Sequence, residues 1–347
     1  MLEEKIKISF FEIEPWEEEY LEFKLKEKLT KKAEFLFFQK PLNIRRIKEI
    51  QDTNILAVFI YSKVNKRVID ALPNLRLITT MSTGFDHIDL NVCQERDIKV
   101  SNVPYYGENT VAEHTFGLIL SLSRKIPQSI ERTRRGDFSL KGLRGFDLKG
   151  KIIGIIGLGH IGKQVAKIAN GFGMKILAYD LKKDKKAEKE LGVKYTTLEN
   201  LLKCSDIITL HAPYNPSTHH LINKENIKIV KKGAYLINTA RGGLVETEAL
   251  IQGLKKNILA GAGLDVLEEE CFIKEEKELL TKSFQKKCDL KTVLQNHFLL
   301  NHPKVLITPH NAFNSQEALI RILDVTIQNI LSFLKGKPTN LVLKKKR

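Results

Sequence analysis

Ile152-Ile153-Gly154-Ile155-Ile156-Gly157-Leu158-Gly159-His160-Ile161-Gly162 is the stretch whose reading decides the fold. A short β-type run ends on glycines spaced G-x-G-x-x-G, and a helical pattern, Ile161 to Phe172, takes over at once. The first glycine permits a tight turn, the second lets backbone approach a pyrophosphate, and the third allows close helix packing. The phosphates then sit on the positive N-terminus of the helix. Asp180 stands eighteen residues past Gly162, directly after a second β run, Lys175 to Tyr179. Its carboxylate suits the ribose hydroxyls of an adenosine and repels a 2′-phosphate, which selects NAD over NADP. Lys182 and Lys183 follow closely and soften that selection. Strand, glycine turn, helix and acid agree, so the stretch reads as the opening of a Rossmann domain with NAD as cofactor.

Working outward, β runs recur as Asp206 to Leu210, Ala234 to Asn238, Leu259 to Leu264 and Val305 to Thr308, which completes six strands of a doubly wound set. A long charged insertion, Cys271 to Asn301, separates the last two. Towards the N-terminus, Ile6 to Phe11, Glu34 to Phe38, Ile55 to Tyr61 and Leu75 to Met81 alternate with helical stretches, and the first third ends at Val100 to Pro104. The alternation predicts an α/β fold with parallel sheets and a domain boundary near residue 105. A long helix over Asn109 to Lys125 comes next, then a Gly-rich basic stretch around Arg134 to Gly150. Val111, Ala112, Phe116, Leu118, Ile119, Leu120 and Leu122 put apolar groups nearly all round that helix, so it must be covered on several sides, between domains and in a dimer interface. Ser315 to Lys335 reads as one amphipathic helix that returns to the N-terminal domain.

The 347 residues, 42% of them hydrophobic, suffice for two cores. No apolar run approaches the roughly 18 residues of a membrane span, and the opening Met1-Leu2-Glu3-Glu4-Lys5 lacks a signal peptide's basic start, so a cytoplasmic address is expected. Cys93, Cys204, Cys271 and Cys288 are scattered, which predicts inert thiols with no disulfide framework and no metal site. The net charge of +16 would suit a nucleic-acid binder, but the lysines are interleaved with acids in segments such as Leu181 to Glu190. A solvated basic surface with no nucleic-acid partner is expected, its field drawing in anionic substrates.

Ligands of open α/β sheets gather outside the carboxyl ends of the strands. After Ala234 to Asn238 come Thr239, Ala240 and Arg241; after Leu259 to Leu264 come Asp265 and, five residues on, Glu270; after Val305 to Thr308 come Pro309 and His310. Hydride transfer between an alcohol carbon and nicotinamide leaves a hydroxyl proton that needs a base, and the reverse reaction needs an acid at the carbonyl oxygen. His310 serves both ways. Glu270, paired with the imidazole, favours its protonated form. Arg241 holds a carboxylate through its planar fork and polarises the neighbouring carbonyl. Each has a duller reading on its own: a surface salt bridge, membership of the acidic run Glu268-Glu269-Glu270, a loop cap. Their joint placement beside the dinucleotide turn favours the chemistry. His211 also follows a strand but is read as structural, with Ala212-Pro213 as a backbone wall against the nicotinamide ribose.

These stretches, with Asn238-Thr239-Ala240-Arg241-Gly242-Gly243, Leu264-Asp265-Val266 and Thr308-Pro309-His310-Asn311-Ala312, resemble the D-isomer-specific 2-hydroxyacid dehydrogenase family over nearly the whole chain. The resemblance implies Arg241, Glu270 and His310 as the catalytic trio. It implies Gly157, Gly159, His160, Ile161, Gly162, Asp180, Ala212, Pro213, Thr218, Thr239, Ala240, Arg241 and Asp265 along the cofactor. It further implies a Rossmann NAD-binding domain, residues 106–310, inserted into a flavodoxin-like substrate domain made of residues 1–105 and 311–347. Homodimers through the helix near residues 109–125 are implied, as is closure of the domains on substrate.

For the substrate, Ser82-Thr83-Gly84 is the expected loop, presenting backbone N–H groups to a carboxylate. Within the family the chain is most similar to the D-lactate dehydrogenases, in which a tyrosine and a phenylalanine matching Tyr106 and Phe313 enclose the small acid beside Arg241. The Phe11-to-Glu17 opening and the insertion after Glu270 also look lactate-type. Pyruvate and D-lactate are the expected pair. The alternatives are another 2-oxo acid, such as glyoxylate, hydroxypyruvate or a branched-chain acid, and, from another class, an NAD-sensing binding module like the corepressors that resemble this family.

Overall fold

The computed structural model describes residues 5–29, 32–268 and 290–342. The chain divides into two compact units, the first made of residues up to Tyr106 together with those from Ser315 onward, the second of Gly107–Asn314. The boundaries therefore fall at Tyr106 and Asn314, and Asn311 to Asn314 belong to the second unit.

The first unit is built on β1 (Ile6–Phe11), β2 (Ala33–Phe38), β3 (Ile55–Val58), β4 (Leu77–Thr80) and β5 (Lys99–Ser101), in the order β2-β1-β3-β4-β5, all parallel. This is the flavodoxin-like order. Strands covered on both faces read as continuous apolar runs, and β1 shows why: Ile8, Phe10 and Phe11 are all fully buried. Phe10 stacks on Phe37 and Phe11 on Phe38 across the β1–β2 pair, with ring centroids 5.0 and 4.5 Å apart. The helix Gln316–Leu334 returns to this unit and packs on the helix Pro15–Leu29 and on β4. Ser315 caps it by accepting from Ala318 N at 3.2 Å, and Ala318, Ile322, Leu323, Ile327 and Ile330 bury the stripe that the 3.6-residue period aligns. Beyond that helix, Val342 N donates to Val100 O on β5.

The second unit holds β6 (Ile152–Ile156), β7 (Lys175–Tyr179), β8 (Val193–Tyr195), β9 (Ile207–Leu210), β10 (Ala234–Asn238), β11 (Leu259–Leu264) and β12 (Val305–Ile307). They form one parallel sheet ordered β12-β11-β10-β9-β6-β7-β8. Among the described residues the sheet has seven strands where the sequence suggests six. The additional one, Val193-Lys194-Tyr195, is three residues long with a lysine at its centre, too short to show a period; it is set up by Gly192, which ends the preceding helix at φ 63°. The order reverses between β6 and β9, the topological switch point at which such sheets bind ligands.

The helix Glu108–Arg124 belongs to this second unit. It packs on the helix His160–Gly171 and on β10 and β11. Gly263 on β11 makes room for it: a Cβ there would lie 3.1 Å from Leu118. Phe116 stacks on Phe172 at 5.3 Å, and Ala112, Leu118, Ile119 and Leu122 are buried. Much of the cover that the apolar pattern demands is supplied within the unit, and the exposed positions Asn109, Glu113, Gly117 and Arg124 form a narrow polar stripe. Of the charged insertion, Leu290–Leu300 is a helix, and residues 271–289 lie outside the described residues.

Candidate functional site

At the switch point, Gly157 adopts φ 92°, a left-handed conformation that a side chain strains. A Cβ on it would also meet Ala212 N at 2.6 Å and His211 C at 2.7 Å, because the β6 turn lies directly against the end of β9. Gly162 packs against the Gly157 carbonyl in the same way. Gly159 differs. It is the N-cap of the helix His160–Gly171, has ordinary backbone angles, supplies no side-chain cap, and would carry a Cβ into open space. A helix N-terminus open in this way can receive an anion. Ile161 is half-buried and His160 exposed at the same terminus.

Asp180 follows β7. Its Oδ2 accepts from Leu158 N at 2.7 Å and its Oδ1 from Lys182 N at 2.9 Å, so the carboxylate is fixed beside the glycine turn. Turn, open helix terminus and anchored carboxylate together fit a dinucleotide whose phosphates meet the helix and whose ribose meets the acid. On the other side of the switch, Ala212 is half-buried and Pro213 exposed, and Thr218 donates to Pro213 O at 2.7 Å and closes their loop. His211 donates its backbone N–H to Ile156 O, and its Nε2 meets Thr209 Oγ1 at 2.9 Å. The residue as a whole is only half-covered, but the buried Nδ1 has no partner, and enclosure of the ring pushes its pKa down to about 3. That enclosure favours the neutral imidazole.

The carboxyl ends of the next three strands carry the remaining groups. After β10, Asn238 holds the turn at both ends: its Oδ1 accepts from Ala240 N at 3.1 Å and its Nδ2 donates to Arg241 O at 2.9 Å. Arg241 is half-buried, its Nη1 donating to Ala240 O at 2.8 Å. Gly242 lets this turn lie on the backbone of Leu267 and Glu268, which any Cβ would strike. After β12, His310 is half-buried with φ 53°. Asp265, after β11 and only 1% exposed, holds that left-handed turn. Its backbone oxygen accepts from His310 N at 2.9 Å, its Oδ1 from Asn311 N at 3.0 Å and its Oδ2 from Ala312 N at 2.9 Å. Thr308 Oγ1 adds a fourth donor at 2.5 Å. Asp265, expected along the cofactor, is thus also the anchor of the His310 turn. Glu270 lies outside the described residues. Its neighbour Glu268 is accounted for: it accepts from Thr247 N and Oγ1 and pairs with His220 Nε2 at 2.5 Å.

In the first unit, Ser82 is buried and donates to Gly84 O at 2.7 Å, while Thr83 donates to Val103 O at 2.9 Å. The hydroxyls thus shape the Ser82-Thr83-Gly84 loop, one through its own backbone and the other by tying it to the segment after β5. Tyr106 is half-buried and belongs to this unit, its carbonyl accepting from Arg321 Nε at 2.6 Å; Phe313, also half-buried, belongs to the second. Two residues that the sequence reading passes over reach the loops just described. His114 Nε2 lies 3.1 Å from Thr308 Oγ1 and 3.5 Å from Asp265 Oδ1, and Thr115 Oγ1 lies 2.9 Å from Thr239 Oγ1. Their signal in the sequence is slight: two polar residues among the several that this helix carries.

Residues 116–312 match the family described as D-isomer specific 2-hydroxyacid dehydrogenase, NAD binding domain. A 2-hydroxyacid dehydrogenase homolog of Haemophilus influenzae is 36% identical over 344 residues, covering 97% of this chain and 99% of that protein. The glyoxylate reductase of Thermofilum pendens is 38% identical, with 86% of this chain and 84% of that protein covered. Among solved structures, D-lactate dehydrogenase from Aquifex aeolicus complexed with NAD and lactic acid superposes with a TM-score of 0.84 at 34% identity, covering 98% of this chain and 100% of that one.

Proposed function

The chain belongs to the D-isomer specific 2-hydroxyacid dehydrogenase family, NAD-dependent oxidoreductases, and from that premise we propose that it is a cytoplasmic, homodimeric D-lactate dehydrogenase reducing pyruvate with NADH. The observation that carries the reading is the succession of loops after β10, β11 and β12, which puts Arg241, Asp265 and His310 on the carboxyl edge of one sheet whose switch point carries the dinucleotide turn.

Bound NADH supplies the hydride to C2 of the 2-oxo acid. His310 donates a proton to the carbonyl oxygen as that bond is reduced and recovers it from solvent; in the reverse direction it takes the hydroxyl proton. Arg241 holds the substrate carboxylate by two parallel hydrogen bonds and polarises the adjacent carbonyl. Glu270 is assigned, on its place five residues after Asp265, as the carboxylate that favours the imidazolium form of His310. The Ser82-Thr83-Gly84 loop, Tyr106 and Phe313 are assigned to the substrate, the two aromatic rings restricting it to a short side chain. The unit with the glycine turn is the NAD domain and the other the substrate domain.

The lactate assignment is supported by the likeness to the lactate-bound Aquifex enzyme. The likeness to a glyoxylate reductase at 38% identity favours glyoxylate as the second candidate. A panel of 2-oxo acids with NADH tests the reading: pyruvate is expected to give the highest kcat/KM, and oxidation of D-lactate but not L-lactate. A higher kcat/KM for glyoxylate would replace the lactate assignment, and no turnover with any member would sink the dehydrogenase role.

A further inference from the structure

We propose that His114 and Thr115, neighbours on the helix Glu108–Arg124, are positioning residues that set the spacing between the Arg241 loop and the His310 loop; the inference rests on the catalytic reading above. Each reaches a threonine two residues before a reacting side chain: Thr115 meets Thr239, ahead of Arg241, and His114 meets Thr308, ahead of His310. A helix turns about 100° per residue, so one turn of it points these two side chains at two different loops.

A proton inventory gives both contacts a direction. Thr115 Oγ1 donates its one proton to Val111 O at 2.8 Å, so the bond with Thr239 is one that Thr239 donates. Thr308 Oγ1 spends its proton on Asp265 Oδ1, since an ionised carboxylate only accepts. The contact between His114 and Thr308 is therefore an Nε2–H donation from the imidazole, and the chain His114→Thr308→Asp265 runs one way. Asp265 in turn holds the backbone N–H groups of His310, Asn311 and Ala312. Thr115, Thr239 and Asp265 are all buried, so a lost partner is not replaced by water at no cost. The helix itself is fixed by the close approach at Gly263. It acts as a rigid bar with one hydrogen bond to each loop, and holds the carboxylate anchor and the proton carrier at a constant offset.

The test uses the full-length protein, NADH and the 2-oxo acid that the wild type reduces fastest. His114→Ala is expected to lower kcat about tenfold, in keeping with the cost of sub-ångström to 1 Å misplacement, while the NADH dissociation constant stays within about twofold. His114→Gln keeps a donor and should recover most of the loss. Thr115→Val, nearly isosteric, should raise KM for the 2-oxo acid about fivefold at unchanged NADH affinity, with Thr115→Ser recovering it. Hydrogen exchange of the amides at 310–312 should quicken in His114→Ala and not in Thr115→Val, a readout that needs no turnover. The proposal is overturned if exchange at 310–312 is unchanged in His114→Ala. It is equally overturned if kcat and KM stay at wild-type values, or if NADH affinity and Tm fall in parallel and the conservative variants rescue nothing. Full kcat in His310→Ala would instead overturn the catalytic reading, and the exchange measurement would still decide whether His114 orders the loop.

Discussion

At the scale of single residues, His211 and His310 follow strands of the same sheet and have opposite surroundings. The imidazole of His211 is enclosed, with one nitrogen on Thr209 and the other without a partner, and its pKa is pushed down to about 3 by burial. In the unfolded chain a histidine titrates near 6.5. Below that pH the unfolded state binds the proton and the native state does not, so stability falls as pH drops from about 6.5 towards 3. His211→Gln removes the titration and leaves an amide that can bond Thr209. Between pH 7 and pH 5 the wild type is expected to lose roughly 2 kcal/mol of unfolding free energy relative to the variant. Urea titrations at the two pH values measure this, and a difference that does not change with pH would mean that the ring takes up its proton in the folded state. Asp265 is the residue whose role the fold enlarges most. Its place after β11 points to the site, but the four donors it accepts come from residues 308–312, and a partner more than forty residues away is invisible in a sequence without its register.

At the scale of elements, the glycine turn separates two demands that the motif merges. Gly157 is required by the fold, through its φ of 92° and the backbone of Ala212 beside it. Gly159 has no positive φ and nothing within 4 Å of a Cβ, so the fold does not require it and a bound dinucleotide would. Gly157→Ala should therefore lower Tm by several degrees, as a strain of about 1–2 kcal/mol does, and weaken NADH as a consequence. Gly159→Ala should leave Tm within about 2 °C and still weaken NADH about tenfold, a loss of about 1.4 kcal/mol. Thermal melts with and without NADH distinguish them; equal NADH affinity in Gly159→Ala and wild type would remove the backbone from the phosphate site. The turn was legible in the sequence because its constraints are local: a positive φ, a missing Cβ, an acid one strand later. The strand Val193–Tyr195 was not, because three residues carry no period. Nor were the polar contacts of the helix Glu108–Arg124, whose partners lie 124 and 194 residues further along the chain. The apolar pattern of that helix was legible, but not which strands and helix of its own unit pack on it.

At the scale of the whole molecule, that covering bears on how two copies would meet. The exposed stripe of the helix Glu108–Arg124 is narrow and polar, and offers little area by itself. Immediately after it, the helix Ile126–Arg134 has no buried residue, and the segment beyond carries Phe138 and Leu140 at 79% and 83% exposure beside the exposed Ile126 and Ile130. A run of apolar side chains left outside the core, next to Arg132, Arg134 and Arg135, is the composition of an interface, since solvated loops seldom keep large apolar groups so exposed. A homodimer would bury this segment against the second copy, with the long helix as its rigid base. Sedimentation should then give twice 39.6 kDa for the wild type, and the double substitution Phe138→Ser and Leu140→Ser should shift it towards 39.6 kDa at micromolar concentration. The Arg241 turn is anchored by Asn238 and the His310 turn by Asp265, so the dissociated variant is expected to keep NADH affinity within about twofold, a change of about 0.4 kcal/mol. A wild type that sediments as a monomer would show that the exposed apolar run serves something other than self-association, and a dimer that survives the double substitution would move the interface to another face.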